Sequence, residues 1–286
     1  MTKILITGGS GFLAKNLSLK LSLEKKYRIT LCSRNIENLR KASSETKCDY
    51  YPLNINSIES LIDAFNNIKP EIIIHCAASK FVDLSEKFAE ECIETNVLGS
   101  INLYRIAEMF KVKKIVVIST DKAANPDPNI YSQSKNLMEN YFINASKKSK
   151  IKIACLRFGN LCWSTGSVFN LWEEMTLKNN LVLSTGPEMR RFFINVDHAS
   201  NLIKIVMENL NKCNGLIITD YMKSAKISDI LKIWKQIYKV EWKKIKARDG
   251  DKKDEYLLSP HELKSAYFIS LNKTKLIAIN KSKNNL

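Results

Sequence analysis

Two short stretches bring chemistry together. Ser119-Thr120-Asp121-Lys122 is followed nine residues later by Tyr131-Ser132-Gln133-Ser134-Lys135. The first follows the apolar run Ile115 to Ile118, which reads as a buried parallel strand, so a hydroxyl, a carboxyl and an amine arrive together at its C-terminal end. Open α/β sheets bind ligands at that end. Tyr131 and Lys135 share one face if the second stretch is helical, and the ammonium can then lower the phenol's pKa. Such a phenol can take a proton from a substrate hydroxyl. An acid and a base side by side at the strand end imply that oxidation of that hydroxyl is only a first step. Taken alone, Asp121-Lys122 could be a loop salt bridge at a helix start; its place after a strand and before Tyr-x-x-x-Lys favours chemistry.

These residues need a scaffold that ends in the right place. Strand-like runs at 3–7, 28–32, 50–55, 71–75, 114–119 and 152–157 alternate with helical patterns at 12–25, 34–42, 57–67, 85–110 and 130–148. That alternation predicts an α/β fold with a Rossmann-type doubly wound parallel sheet. After Asn160 the pattern loosens into a helix near 168–179, a strand near 181–184, a helix at 197–210, a strand at 215–220 and a helix at 226–239. The expected division is residues 1–160 as a dinucleotide-binding domain carrying the catalytic residues. Residues 161–286 are expected to form a smaller C-terminal α/β substrate lobe with a frayed tail from Asn280.

The first strand runs into Thr7-Gly8-Gly9-Ser10-Gly11-Phe12-Leu13-Ala14, with Gly9, Gly11 and Ala14 at the positions of G-x-G-x-x-[GA]. Small residues allow the tight turn and a close approach of backbone to pyrophosphate, which rests on the N–H groups of the helix start. Gly8 through Leu13 are therefore expected at the cofactor. After the second strand an NAD site would carry Asp or Glu; this chain has Ser33-Arg34 instead, and a guanidinium suits a 2′-phosphate, so the expected cofactor is NADP. Asn54 and Ile55 end the third strand, where an adenine contact is expected, and Ala77 and Ala78 are small enough to pass beside the cofactor. His75 reads as a packed strand-end residue.

With 286 residues and 45% hydrophobic content, the chain suits one such domain plus a lobe. No apolar run approaches the ~20 residues that span a bilayer, and the N-terminus enters a strand pattern directly, so a cytoplasmic protein without a signal peptide or membrane contact is expected. The seven cysteines show no paired spacing and read as reduced core residues; no metal site is expected beside three histidines. A net charge of +16 would suit a polyanion binder, yet the lysines spread along the whole chain and no interleaved aromatic signature accompanies them. The charge is better read as solvated faces, with no nucleic-acid partner.

The chain resembles the extended short-chain dehydrogenase/reductases through Thr7–Ala14, His75 to Lys80, Thr95-Asn96-Val97-Leu98-Gly99 and Tyr131–Lys135. Ser119 to Pro126 is similar to the polysaccharide-biosynthesis branch, the configuration-inverting UDP-N-acetylglucosamine 4,6-dehydratases. Arg157 to Asn160, Gly166-Ser167-Val168, Met189 to Phe193 and Arg248-x-Gly250-Asp251-Lys252-x-x-Glu255 extend that likeness to about residue 262. The resemblance implies roles for Lys80 and Asn96 at the cofactor. It also implies contacts of Lys80, Asn160, Ser167, Val168, Arg191, Arg248 and Glu255 with a UDP-sugar. Arg191 and Arg248 suit pyrophosphate oxygens, and Glu255 suits a ribose or uracil donor. Thr165, Asn170, Asp249 and Asn54 depart from the branch's usual arginine, proline, proline and aspartate, which bears on sugar preference and the adenine pocket. A homodimer or larger homo-oligomer through helices 85–110 and 130–148 is also implied.

On this resemblance Tyr131 takes the O4 proton of the sugar while C4 is oxidised by a tightly bound, internally regenerated NADP. Lys135 orients the cofactor ribose, and Thr120 bonds near O4. Lys122 removes the C5 proton, Asp121 protonates the departing O6 hydroxyl, the hydride returns to C6, and reprotonation from the opposite face inverts C5. Lysine must be neutral for this, through desolvation or nearby positive charge, for which Lys135 and the oxidised nicotinamide are available; Asp121 must be protonated. A UDP-hexose 4-epimerase or reductase would use Tyr131 and Lys135 without the Asp121-Lys122 pair. A non-catalytic NADP-binding scaffold would need none of the four.

Overall fold

The computed structural model describes residues 1–126, 129–247 and 251–281. Arg248, expected at the substrate, lies outside the described residues, as do Asp249, Gly250 and residues 282–286. The first half alternates β1 (Thr2–Thr7), α1 (Phe12–Ser22), β2 (Tyr27–Ser33), α2 (Ile36–Thr46), β3 (Asp49–Pro52), α3 (Ile58–Ile68) and β4 (Ile72–His75). Then follow α4 (Val82–Lys87), α5 (Ala89–Ile93), α6 (Gly99–Met109), β5 (Lys114–Thr120), α7 (Ile130–Lys148) and β6 (Lys152–Phe158). The second half holds β7 (Asn160–Leu161), α8 (Val168–Asn179), β8 (Leu181–Ser184), β9 (Arg190–Ile194), α9 (Val196–Glu208), α10 (Leu210–Cys213) and β10 (Leu216–Thr219). It closes with β11 (Ser224–Lys226), α11 (Ile227–Tyr238), β12 (Glu241–Lys244), α12 (Pro260–Leu263), β13 (Ala266–Leu271) and β14 (Thr274–Ile279).

The main sheet has nine strands in the order β13-β14-β10-β6-β5-β4-β1-β2-β3. From β3 to β10 neighbours are parallel; β14 joins β10 antiparallel and β13 closes the edge as a hairpin. The central strands are buried on both faces, and period-two alternation sorts their side chains. Ile4 and Ile6 pack with Leu17 of α1 and Leu202 and Val206 of α9 on one side. Leu5, Ile115 and Val117 pack with Phe65 of α3, Leu103 of α6 and Phe142 of α7 on the other. The strand order reverses beside β1, between β1 and β4, which opens a crevice at the C-terminal ends of the strands.

Residues 161–286 divide their allegiance. β7, β9 and β11 form a three-stranded sheet and β8 with β12 a two-stranded one. Trp172, Val182, Leu231 and Trp234 make a separate small core for them. Trp234 stacks on Tyr238 at 4.3 Å between ring centroids. By contrast β10, β13, β14 and α9 return to the main sheet and its core.

One expected element is broken. The helix expected over 85–110 is interrupted at Phe88 (φ −122°, ψ 59°), and again by a π turn over Glu94–Leu98. In that turn Thr95, Asn96 and Val97 are all buried, and Asn96 points its carboxamide into the protein beside the ligand crevice. The strand expected over 50–55 ends at Pro52.

Candidate active site

A cleft of roughly 730 Å³ opens at the C-terminal ends of β1, β4, β5 and β6. Gly8, Ser10, Gly11, Phe12, Leu13, Arg34, Ala77, Ala78 and Lys80 line one part; Thr120, Asp121, Lys122, Tyr131, Lys135 and Asn160 line the other. Every residue expected to do chemistry is therefore on one cavity.

The floor of the cofactor half is built from backbone. Gly8 has φ +66°, and a Cβ there would lie 2.9 Å from the Ala77 nitrogen. Gly9 sits behind the cleft, where a Cβ would come within 2.7 Å of the Cys32 nitrogen. Gly11 starts α1 without any side-chain cap, and the first turn carries no acidic residue. The first turn of this eleven-residue helix, whose N–H groups have no partner within the helix, lines the cleft at Phe12, Leu13 and Ala14, a fit for a dinucleotide pyrophosphate. Arg34 reaches the cleft with its side chain 55% exposed and its guanidinium 3.8 Å from Glu91. Ser33 stands behind it, bonded to the Ser10 hydroxyl at 3.3 Å. Asn54 and Ile55 do not line the cleft: Asn54 accepts from the Asn56 N–H at 3.1 Å, and Ile55 is buried against the start of α6.

A buried polar chain holds these loops. The Thr7 hydroxyl oxygen accepts from the N–H groups of Cys76 and Ala77, both at 3.1 Å. Its proton therefore goes to Nδ1 of His75, at 2.8 Å. Nε2–H then faces Ser100 Oγ at 2.9 Å, and that hydroxyl donates to the Asn96 carbonyl at 2.7 Å. Burial, with the charge of Lys135, pushes His75 down to about 3, so the ring is neutral and structural. The Asn96 side chain accepts from the Ser79 N–H at 2.8 Å and donates to the Ser79 carbonyl at 3.0 Å and to Ser134 Oγ at 3.0 Å. Asn96 is thus a clamp on the loop after β4 rather than a lining residue of the cleft.

The reacting half is assembled by β5 and α7. Asn129 caps α7 by accepting from the Ser132 N–H at 2.8 Å. Lys135 donates to the carbonyl of Ile118 at 2.8 Å, and burial lowers its pKa to about 8. Tyr131 is buried, which pushes its phenol up to about 12 against the pull of the Lys122 charge. The charge expected to lower Tyr131 was that of Lys135; the cation that acts on it here is Lys122. Asp121 Oδ1 accepts from the Thr120 hydroxyl at 2.8 Å, from the Lys122 N–H at 3.0 Å and from Lys122 Nζ at 3.3 Å. Its Oδ2 is buried without a partner among the described residues.

Lys122 does not point into bulk water; its side chain is 17% exposed. Its environment differs from the expected one. Burial disfavours the ammonium, but the carboxylates of Asp121 and Glu255 outweigh burial and hold its pKa above the usual lysine value. Glu255, expected at the nucleotide, is ion-paired with Lys122 at 3.5 Å. Burial and the Asp121 charge raise its own pKa, and its Oε2 also lacks a partner among the described residues. Sequence spacing could not reveal this contact, because the two positions are 133 apart along the chain.

The other expected substrate residues scatter. Lys80 donates to the Thr165 carbonyl at 2.9 Å at the cleft edge. Asn160 donates to the Phe192 carbonyl at 3.1 Å and lines the cleft. Ser167 caps α8, accepting from the Asn170 N–H at 3.5 Å, and Val168 packs on the small core behind it. Arg191 is buried, with its guanidinium donating to the carbonyls of Lys252 at 2.7 Å and Lys253 at 3.2 Å. Among the described residues no group of His, Cys, Asp or Glu is placed to hold a metal ion.

A dinucleotide sheet whose cleft carries a tyrosine and a lysine one helical turn apart defines the short-chain dehydrogenase/reductase class. Within it, the chain belongs to the polysaccharide biosynthesis protein family, whose model matches residues 4–274. It is similar to the probable polysaccharide biosynthesis protein EpsC of Bacillus subtilis, 29% identical over 273 residues. That match covers 91% of this chain and 45% of the relative, so the chain spans about half of that relative's length. It is also 30% identical to the UDP-glucose 4-epimerase of Rickettsia bellii over 275 residues, covering 92% of this chain and 79% of that one. Among solved structures, Pen from Bacillus thuringiensis aligns with a TM-score of 0.89 at 25% identity, covering 97% of this chain and 87% of that chain.

Proposed function

We propose that the protein is a nucleotide-sugar 4,6-dehydratase acting on UDP-N-acetylglucosamine, with inversion at C5, and that its cofactor is NADP. The single observation that carries this reading is the burial of Asp121 and Lys122 in the same cleft as Tyr131. A reaction that ends at oxidation and reduction of C4 has no use for that acid–base pair.

Gly8, Ser10, Gly11 and the start of α1 would hold the pyrophosphate, Arg34 the 2′-phosphate and Lys135 the ribose. The nicotinamide, when bound, would supply a reversible hydride store, taking the hydrogen from C4 and giving it back at C6 after water has left. Tyr131 takes the O4 proton, and Thr120 steadies the oxygen beside it. With C4 a ketone, the C5 hydrogen is acidic and Lys122 removes it. Asp121 presents Oδ2, its unpartnered oxygen, to the O6 hydroxyl and protonates it as it departs as water. The surrounding β7, β9 and β11 sheet and the small core around Trp172 would carry the nucleotide end. Exposed Ile93, Leu98 and Leu137 on α5 to α7 support a homodimer. No helix of the described residues is long and apolar enough to cross a membrane.

The test is incubation with UDP-N-acetylglucosamine in deuterated water. The expected product has lost one water and carries solvent deuterium at C5. A second reading, a UDP-sugar 4-epimerase, is favoured by the Rickettsia relative and by the carboxylates that keep Lys122 charged. It predicts a 4-epimer of unchanged mass with no solvent hydrogen on carbon.

A further inference from the structure

We infer that Glu255 is the proton partner of Lys122: the two share one proton inside the site, and the lysine becomes a base by passing its proton to the carboxylate instead of to water. The inference rests on the dehydratase reading above. Three observations lead to it. Glu255 Oε1 lies 3.5 Å from Lys122 Nζ, with Lys122 17% and Glu255 3% exposed. The segment that carries Glu255 is built to bring it there. Arg191 of β9 donates to the carbonyls of Lys252 and Lys253, the Arg190 N–H donates to the Lys253 carbonyl at 2.9 Å, and Lys252 Nζ donates to the carbonyl of Asn125. Finally, burial makes Glu255 readier than an ordinary carboxylate to take a proton.

The groups that face this pair are Asp121 from the turn after β5, Tyr131 from α7, Arg191 from β9 and Lys252 from the same segment. In the transfer an N–H bond of Lys122 breaks and an O–H bond forms on Oε1, leaving a neutral amine and a neutral acid. The amine then takes the C5 hydrogen as a proton, and the electron pair stays on the substrate as the enolate. The protons gathered by Tyr131 and Lys122 suffice to restore Asp121 and C5, so the cycle closes without net proton change. Glu255 acts through Lys122 and is a positioning residue.

A shared proton has a kinetic signature. The amine fraction within the pair does not depend on pH until the pair gains or loses a proton as a unit. The readout is the rate at which solvent deuterium enters the product at C5, measured from about pH 6 to about pH 9. Wild type is expected to be flat over that window. In Glu255→Gln the amine forms only by losing its proton to solvent, so the rate falls at least ~10-fold at neutral pH and climbs ~10-fold per pH unit. Glu255→Asp restores the flat profile, and KM stays within about threefold in both variants. A Glu255→Gln profile as flat as wild type, with the loss confined to KM, overturns the inference and makes Glu255 a nucleotide contact. Should Glu255→Gln not fold, Glu255→Asp alone decides, since a sloped profile in that variant overturns it. Wild type that places no deuterium at C5 overturns the dehydratase reading itself.

Discussion

The ammonium of Lys135 donates to the main-chain carbonyl of Ile118 at 2.8 Å, a bond from the second turn of α7 to the last residues of β5. Tyr131 sits one turn before that lysine, and Thr120 two residues after that carbonyl. The bond therefore sets the distance between the phenol and the Thr120-Asp121-Lys122 turn. It also explains why a cation without an ion pair among the described residues is tolerated with 3% exposure.

Lys135 carries a pH signature in stability. An unfolded lysine titrates near ~10.4, whereas buried Lys135 is lowered to about 8. Between those values the unfolded chain holds the extra proton, so stability rises with pH across the window and the deficit is fully present below it. Urea unfolding of wild type and Lys135→Met should show the wild type gaining on the variant by on the order of 3 kcal/mol from about pH 8 to about pH 10.5. A constant difference would contradict the burial argument.

Asn96 should behave as a loop clamp. Asn96→Ala removes bonds to both backbone groups of Ser79 and to Ser134, in a fully buried place. The expected cost is ~2–3 kcal/mol of stability together with weaker cofactor binding, because the loop of Ala77 and Ala78 loses its hold. Chemical denaturation and fluorescence titration with NADP check the two halves. Unchanged cofactor affinity would confine Asn96 to the core.

Arg157 joins β6 to α7 and α12 by bonding Glu139 at 2.6 and 2.8 Å and Glu262 at 2.8 and 2.9 Å, all three buried. Arg157→Met takes the bidentate cation away from two buried carboxylates, leaving them Lys281 at 3.7 Å from each, and should cost ~3 kcal/mol. Replacing Arg157, Glu139 and Glu262 together by apolar residues should recover most of it. Unfolding free energies of the single and triple variants test this.

Arg34 should choose the cofactor. On the NADP reading, Arg34→Ala removes the guanidinium proposed for the 2′-phosphate, so NADP affinity should fall ~10–100-fold while NAD affinity holds. Equal losses for both cofactors, measured by calorimetry, would show that the guanidinium does something else.

Much of this was legible in the chain. The central parallel strands announced themselves because strands buried on both faces must be apolar without interruption, as Ile72–Ile74 and Ile115–Ile118 are. The glycine turn was legible because backbone must approach backbone there. The β13–β14 hairpin was not read. It is an edge with Tyr267 and Phe268 exposed, and its turn uses Asn272 and Lys273 at φ 47° and 68° without a glycine. Asn272 between two strand-forming runs was the available signal. The break at Phe88 and the π turn around Asn96 escaped because residues 85–110 keep a helical pattern throughout. Glu255 was expected at the nucleotide, and its pairing with Lys122 was not read, since tertiary packing alone brings the two together.

The central claim is that Lys122 acts on C5 after Tyr131 has opened the way at C4. Lys122→Met, given UDP-N-acetylglucosamine, separates the two steps. The account predicts that the variant still reduces bound NADP, seen in the nicotinamide fluorescence, while dehydrated product falls at least ~100-fold. Dehydration by Lys122→Met at the wild-type rate would contradict it.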